Sequence, residues 1–66
     1  MKRPVQSGYV VYMLLALTGK YDVYTNPKQP CTLEMAKSLA EHLRRNRTSS
    51  RIVRVPSGEL VQEVLV

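Results

Sequence analysis

The sequence has little of the cysteine and histidine from which small domains build covalent or metal reinforcement. Cys31 and His42 are single instances of their residue types. One cysteine cannot form an internal disulfide, and one Cys with one His falls short of the three or four protein ligands of a zinc site. We therefore expect no metal and no cofactor. A chain this short buries only about 60% of its unfolded surface, so burial or oligomerisation must supply its stability.

Arrangements of side chains typical of catalysis are also scarce. His42 lies eleven positions after Cys31, which is about 16 Å along a helix and beyond hydrogen-bond reach. Glu59 and Glu63 are separated by about 13 Å if they share a strand, too far for a glycosidase-type carboxylate pair. No glycine-rich loop precedes a helix as phosphate-cradling loops do. We expect a protein that is not an enzyme and takes no small-molecule substrate.

No apolar run approaches the length of a membrane span. The longest candidate, residues 9–17, is far shorter than the ~20 residues that cross a bilayer. Basic residues precede it, as in a secretory signal, but Ala16-Leu17-Thr18 is not a small-x-small cleavage site. An unpaired cysteine fits a reducing compartment, so we expect a cytoplasmic protein with no membrane partner.

The first half of the chain predicts a flexible arm and a β-hairpin. Pro4 and Ser7-Gly8 interrupt any regular pattern over residues 1–8. Residues 9–12 are rich in β-formers and residues 20–25 alternate, with Thr18-Gly19 between them as a two-residue turn. In that register one face is assigned to the core, comprising Val10, Tyr12, Leu14, Ala16, Tyr21 and Val23. The other face carries Tyr9, Val11, Met13, Leu15 and Leu17 beside Lys20, Asp22 and Tyr24.

The second half predicts one helix and two further strands. Apolar residues at spacings of three and four indicate a helix over 33–45, with Thr32 as its N-cap and Asn46 as a left-handed stop. Residues 51–55 and 60–66 favour strands joined by Pro56-Ser57-Gly58. The fold class is therefore α+β, with one domain over 1–66. It is a two-layer ββαββ arrangement in which one helix packs on a small antiparallel or mixed sheet.

Positive charge is concentrated in one window of the chain. Five arginines fall within the eleven residues 44–54, which contain no Asp or Glu, whereas basic and acidic residues balance elsewhere. These arginines are Arg44, Arg45, Arg47, Arg51 and Arg54. Guanidinium groups bind phosphate oxygens two at a time, and the hydroxyls of Thr48, Ser49 and Ser50 add donors. If the arginines share one ridge, the pattern favours a small basic binding module that contacts nucleic-acid phosphates without sequence specificity.

Two further features qualify this function. Tyr9 and Tyr24 share the predicted outer face with Lys20, a thin stacking platform if that face stays open. The same face is unusually apolar, and Val11, Met13, Leu15 and Leu17 are candidates for an interface. The alternative function is therefore a homodimeric protein-interaction module that docks on an acidic partner. Cations at a helix C-terminus also offset its dipole, which is a purely structural explanation of part of the window.

Overall fold

The computed structural model describes residues 7–66, which form one helix and a four-stranded sheet. The elements are β1 (Gly8–Leu15), β2 (Lys20–Val23), α1 (Leu33–Arg45), β3 (Ser50–Val55) and β4 (Glu59–Val64). The sheet has the order β2-β1-β3-β4, and every neighbouring pair is antiparallel. The predicted α+β class is confirmed, and of the two predicted sheet types the antiparallel one is present. Most of the predicted arm lies outside the described residues, although Gly8 already belongs to β1.

The loop between β1 and β2 is longer than predicted. Leu15 pairs with Lys20, so four residues rather than two connect the strands. A two-residue hairpin loop of type I′ needs positive φ at both of its central residues. Gly19 has φ 69°, but Thr18 is not among the residues with positive φ, as expected for a β-branched side chain. The register moves by two residues, so Ala16 and Leu17 move into the loop while the other residues of the two strands keep their predicted faces.

The helix packs on the face of the sheet that was predicted to lie outside. Val11 and Ile52 are fully buried against Ala36, Ala40 and Leu43. The prediction that Val10, Tyr12 and Leu14 face the helix is therefore wrong. The reason lies in β3, where Tyr12 is paired with Arg51 and Val11 with Ile52. Placing the helix on the Tyr12 side would bury the Arg51 guanidinium, which is far more costly than burying isoleucine.

The helix has the predicted limits, but a different residue ends it. The Thr32 hydroxyl accepts a hydrogen bond from the Met35 amide at 3.2 Å, which caps the first turn. At the other end the Asn46 amide side chain donates to the His42 carbonyl at 2.9 Å. Asn46 itself has φ −92°, and the left-handed residue is Arg47 at φ 58°. The stop thus lies one residue later than predicted, on a side chain that does not favour this conformation.

A bulge in β4 completes the core on its far side. The pairing shifts between Ile52 and Val53, so that β4 carries one more residue than β3 at this point. Val61, the extra residue, packs against the core together with Val64. Three strands, β1, β3 and β4, therefore contribute side chains to the core. The helix itself lies over β1 and β3.

The segment between β2 and the helix returns to the edge of β1. Cys31 and Tyr9 exchange two backbone hydrogen bonds, of 2.9 and 3.0 Å. The Thr25 hydroxyl accepts from the Val11 amide at 3.1 Å, where β2 leaves the sheet. Pro30 consequently lies against Gly8, whose missing side chain makes the approach feasible. This crossing fixes where the helix begins.

The close approach at Gly8 gives a stability prediction. A Cβ there would lie 2.7 Å from Pro30 Cβ and 2.9 Å from the Cys31 carbonyl oxygen. We expect Gly8→Ala to lower the free energy of unfolding by about 2 to 3 kcal/mol, measured by urea denaturation. Gly19→Ala is the control, because its Cβ would meet no atom within 4 Å and it carries only the cost of a left-handed residue, about 1 kcal/mol. Equal losses in the two variants would contradict the steric explanation.

Candidate nucleic-acid interface

The five arginines of the basic window lie at three places on the fold. Arg44, Arg45 and Arg47 are exposed at the C-terminal end of α1 and directly after it; we call these three the basic rim. Arg51 lies on the sheet face opposite the helix, and Arg54 lies toward the other end of β3 on the helix side. The expectation that all five share one ridge is not met. Residues three apart on a strand are about 10 Å apart and point to opposite faces.

One carboxylate serves two arginines of the basic rim. Glu41 accepts from the Arg44 Nε at 2.9 Å and lies 3.7 Å from the Arg45 Nε. The hydrogen bond from Arg44 is the main reason that the pKa of Glu41 falls below its ordinary value, and it raises the pKa of Arg44. Glu41 and Arg45 thus form an i, i+4 pair, whereas Lys37 makes no ion pair within residues 7–66.

The rim stays positive and open to solvent despite this contact. The rim has three guanidinium groups, and Glu41 is the one carboxylate among the described residues that pairs with any of them. The Arg45 side chain is 75% exposed. Arg47 forms no ion pair with any carboxylate in the described part of the chain. A phosphate approaching the rim therefore meets solvated donors, and it binds at the cost of weakening the two exposed ion pairs of Glu41.

The hydroxyls next to the rim are turned inward, contrary to the sequence-based expectation. Ser49 and Ser50 are buried, and the Ser49 Oγ accepts from the Val66 amide at 3.2 Å. The Thr48 hydroxyl donates to the Asn46 carbonyl at 3.3 Å. The rim therefore offers guanidinium groups to an anion, and these three hydroxyls serve the fold.

Arg51 crosses the sheet face opposite the helix. Its Nε donates to Glu63 Oε2 at 2.6 Å, and its guanidinium carbon lies 4.0 Å from the centre of the Tyr21 ring. The hydrogen bond with Glu63 raises the pKa of Arg51. Since β1 separates β3 from β2, and strands lie about 4.8 Å apart, the side chain has to extend over β1 to reach Tyr21. We call Glu63, Arg51 and Tyr21 the cross-sheet chain, which links side chains of β4, β3 and β2.

The tyrosines occupy the faces opposite to those predicted. Tyr12 and Tyr21 share the face opposite the helix with Arg51. Tyr9 packs against the core, and Tyr24 lies 39% exposed just after β2 on the helix side. The predicted platform of Tyr9, Tyr24 and Lys20 is therefore not assembled on an uncovered face. The sequence signal that could have placed Tyr12 and Tyr21 on this face was the alternation along β3, in which Arg51 and Val53 share a face.

The predicted interface residues do not form one surface, because the helix covers the face of the sheet on which they were predicted to be exposed. Val11 is fully buried beneath the helix, and Met13 packs beside it. Leu15 is half-buried at the end of β1, and Leu17 is fully exposed in the following loop. The half-buried apolar side chains opposite the helix are Tyr12, Leu14, Tyr21, Val23, Val53 and Val55, with Val10 wholly buried among the residues of that face.

Arg54 borders a shallow cleft at the opposite end of the sheet from the rim. Its guanidinium carbon lies 5.8 Å from the centre of the Tyr9 ring, at the outer range of a cation–π contact. The cleft has a volume of about 440 Å³ and is bounded by Ser7, Gly8, Tyr9, Arg54, Val55, Pro56 and Ser57. Arg54 forms no ion pair with a carboxylate of residues 7–66. It is separated from the rim by most of the length of β3.

The lone cysteine has a structural role at the start of the helix. The Cys31 thiol donates to the Tyr9 carbonyl at 3.3 Å and is half-buried at the start of the helix. His42 lies near the other end of the same helix, next to Asn46. Over residues 7–66, no three His, Cys, Asp or Glu side chains gather as metal ligands would.

The described helix is also too short and too polar to traverse a lipid bilayer. No protein-family model matches the chain, and no curated protein or solved structure is significantly similar to it.

Proposed function

We propose that this chain is a small non-enzymatic module that binds nucleic acid through its backbone phosphates, with the basic rim as the primary contact. The observation that carries the proposal is the charge arrangement at the end of α1. Three exposed arginines lie there within four residues of the chain, and a single carboxylate, Glu41, is shared between two of them. Each guanidinium fork is suited to two phosphate oxygens, and regularly spaced phosphates engage several forks at once.

Stabilisation of the helix alone does not account for Arg47. Cations in the last turn offset the helix dipole, which explains Arg44 and Arg45. Arg47 lies beyond that turn and adopts φ 58°, a conformation that glycine or asparagine adopts more readily. Arg47 therefore adds a positive charge at a local conformational cost. Such a side chain is expected where the charge itself is used.

The rim reads charge and not base sequence. Phosphate contacts position a protein on nucleic acid but carry no sequence information directly. Engaging three phosphates of a single strand corresponds to a slope of about −2 in the logarithm of the association constant against the logarithm of the salt concentration. The proposal thus entails moderate affinity that weakens steeply with salt.

Removing two rim charges is the direct test. We expect Arg44→Gln with Arg45→Gln to weaken binding to a fluorescein-labelled oligonucleotide at least tenfold and to flatten the salt slope by about 1.4, measured by anisotropy. Lys28→Gln with Lys37→Gln is the matched control, since it removes two exposed charges elsewhere on the surface. Equal losses in the two double variants would contradict a role for the rim. No binding by the unmodified chain at low salt would overturn the proposed function.

Glu41 provides the complementary prediction. Its pKa lies below the ordinary glutamate value because Arg44 donates to it, so it is ionised at neutral pH and competes with phosphate. We expect Glu41→Gln to strengthen oligonucleotide binding about two- to fivefold. Glu34→Gln removes the same charge from the first turn of the same helix, away from the rim, and should leave the affinity nearly unchanged. Equal gains in both variants would show that net charge, and not the rim, sets the affinity.

Self-association is the second candidate function, and the exposed apolar residues around β4 favour it. Leu60, Leu65 and Val66 are each more than half exposed, and the outer edge of β4 pairs with no strand of the described chain. Pairing of two such edges would extend the sheet, and a homodimer could then dock on an acidic protein partner. This candidate predicts a dimer mass by light scattering at high micromolar concentration and dissociation by Leu60→Lys. A monomer at that concentration contradicts it.

A further inference from the structure

The sheet face opposite the helix presents flat side chains that the proposed phosphate contacts leave unused. Tyr12 lies in the centre of this face, directly opposite Arg51 in the strand register. Tyr21 lies on the neighbouring strand, with the Arg51 guanidinium 4.0 Å above its ring. A planar cation at that distance occupies the position that a nucleobase takes when it stacks on a tyrosine ring.

The face and the basic rim are close enough to engage one strand of nucleic acid. Arg47 and Arg51 are four residues apart in the sequence, so their Cα atoms are separated by at most about 14 Å. Arg51 lies near the start of β3, at the end of the sheet where α1 terminates. A strand whose phosphates follow the rim can therefore continue onto the face without leaving the surface.

The charges on this face favour a polyanion over a second copy of the chain. Arg51 and Glu63 form an ion pair in the row that also contains Tyr12, and their side chains are 44% and 32% exposed. A second copy packed on this face would remove both charges from water, which is costly. Nucleic acid instead supplies phosphates, and the Arg51 guanidinium has further N–H donors for them besides the Nε that donates to Glu63.

We propose that Tyr12, Tyr21 and Arg51 form a binding surface for single-stranded nucleic acid. One base stacks on Tyr21 in place of the Arg51 guanidinium, which turns to the adjoining phosphate while Glu63 holds its Nε. The bases of a duplex are stacked on one another and cannot reach the tyrosine rings, so the face adds affinity for single strands alone. This inference rests on the proposed function, because the rim supplies the phosphate contacts that bring the strand to the face.

The test compares labelled twelve-nucleotide oligo(dT) and oligo(U) with a twelve-base-pair duplex, by anisotropy at low salt. We expect the unmodified chain to prefer the single strands, and Tyr21→Leu to weaken their binding about five- to fiftyfold while leaving duplex binding unchanged. Tyr21→Phe keeps the ring and should keep the affinity. Tyr24→Leu is the matched control, since it removes an exposed tyrosine from the helix side of the sheet. Far-ultraviolet circular dichroism and urea midpoints establish that each variant is folded.

Three other outcomes would each overturn the stacking surface. If single strands and duplex bind equally and Tyr21→Leu behaves like Tyr24→Leu, the stacking surface is overturned while the rim proposal stands. If neither form of nucleic acid binds, the proposed function fails and this inference fails with it. If the unmodified chain is a dimer and Tyr21→Leu makes it a monomer, the face is an interface between copies, and the inference is overturned in favour of self-association.

Discussion

The contact on which the rest of the structure depends is the seating of α1 on the first and third strands. Ala36 and Ala40 are small enough to bring the helix axis close to the sheet, where Val11 and Ile52 fill the space beneath them. The core is so small that this one contact holds most of its fully buried side chains. This contact also decides the position of the basic rim, because the rim lies at the end of the helix and directly after it. The Leu14 amide donates to the Ser49 carbonyl at 2.9 Å and holds the loop after the helix against the end of the sheet.

The same seating decides which face of the sheet is left without cover from any element of residues 7–66. Side chains alternate along a strand, so burying Val11 and Ile52 places Tyr12 and Arg51 on the other side without exception. The proposed stacking surface is thus a consequence of core packing and not a separate design. A helix seated on the opposite face would bury Arg51 and expose Tyr9, and the roles of the tyrosines would be exchanged.

How much of this was predictable from the sequence depends on the range of the interactions involved. The helix limits follow from local signals, the Thr32 cap and the three-and-four spacing of apolar residues, and they were predicted correctly. The face of β1 that meets the helix was not, because both faces of that strand are apolar and local hydrophobicity cannot choose between them. The choice is made by Arg51 and Ile52, which become relevant only once the pairing of β3 with β1 is known. The contact of Glu41 with Arg45 is local and follows from their i, i+4 spacing on the helix, whereas the stacking of Arg51 on Tyr21 spans two strand spacings and depends on the sheet order.

Arg51 shows how one side chain serves both the free chain and the proposed complex. Its aliphatic stem extends over β1 and shields part of an apolar face that no described element covers. Its side chain is 44% exposed, so the contact with Tyr21 is weak enough to be exchanged for a ligand while Glu63 keeps its hydrogen bond to the Nε. A leucine or valine at this position would be too short to reach Tyr21 across β1 and would offer nothing to an anion, and a lysine would lack the flat group that stacks on the ring. The residue type that best satisfies the face in isolation is therefore also the one that best prepares it for a base and a phosphate.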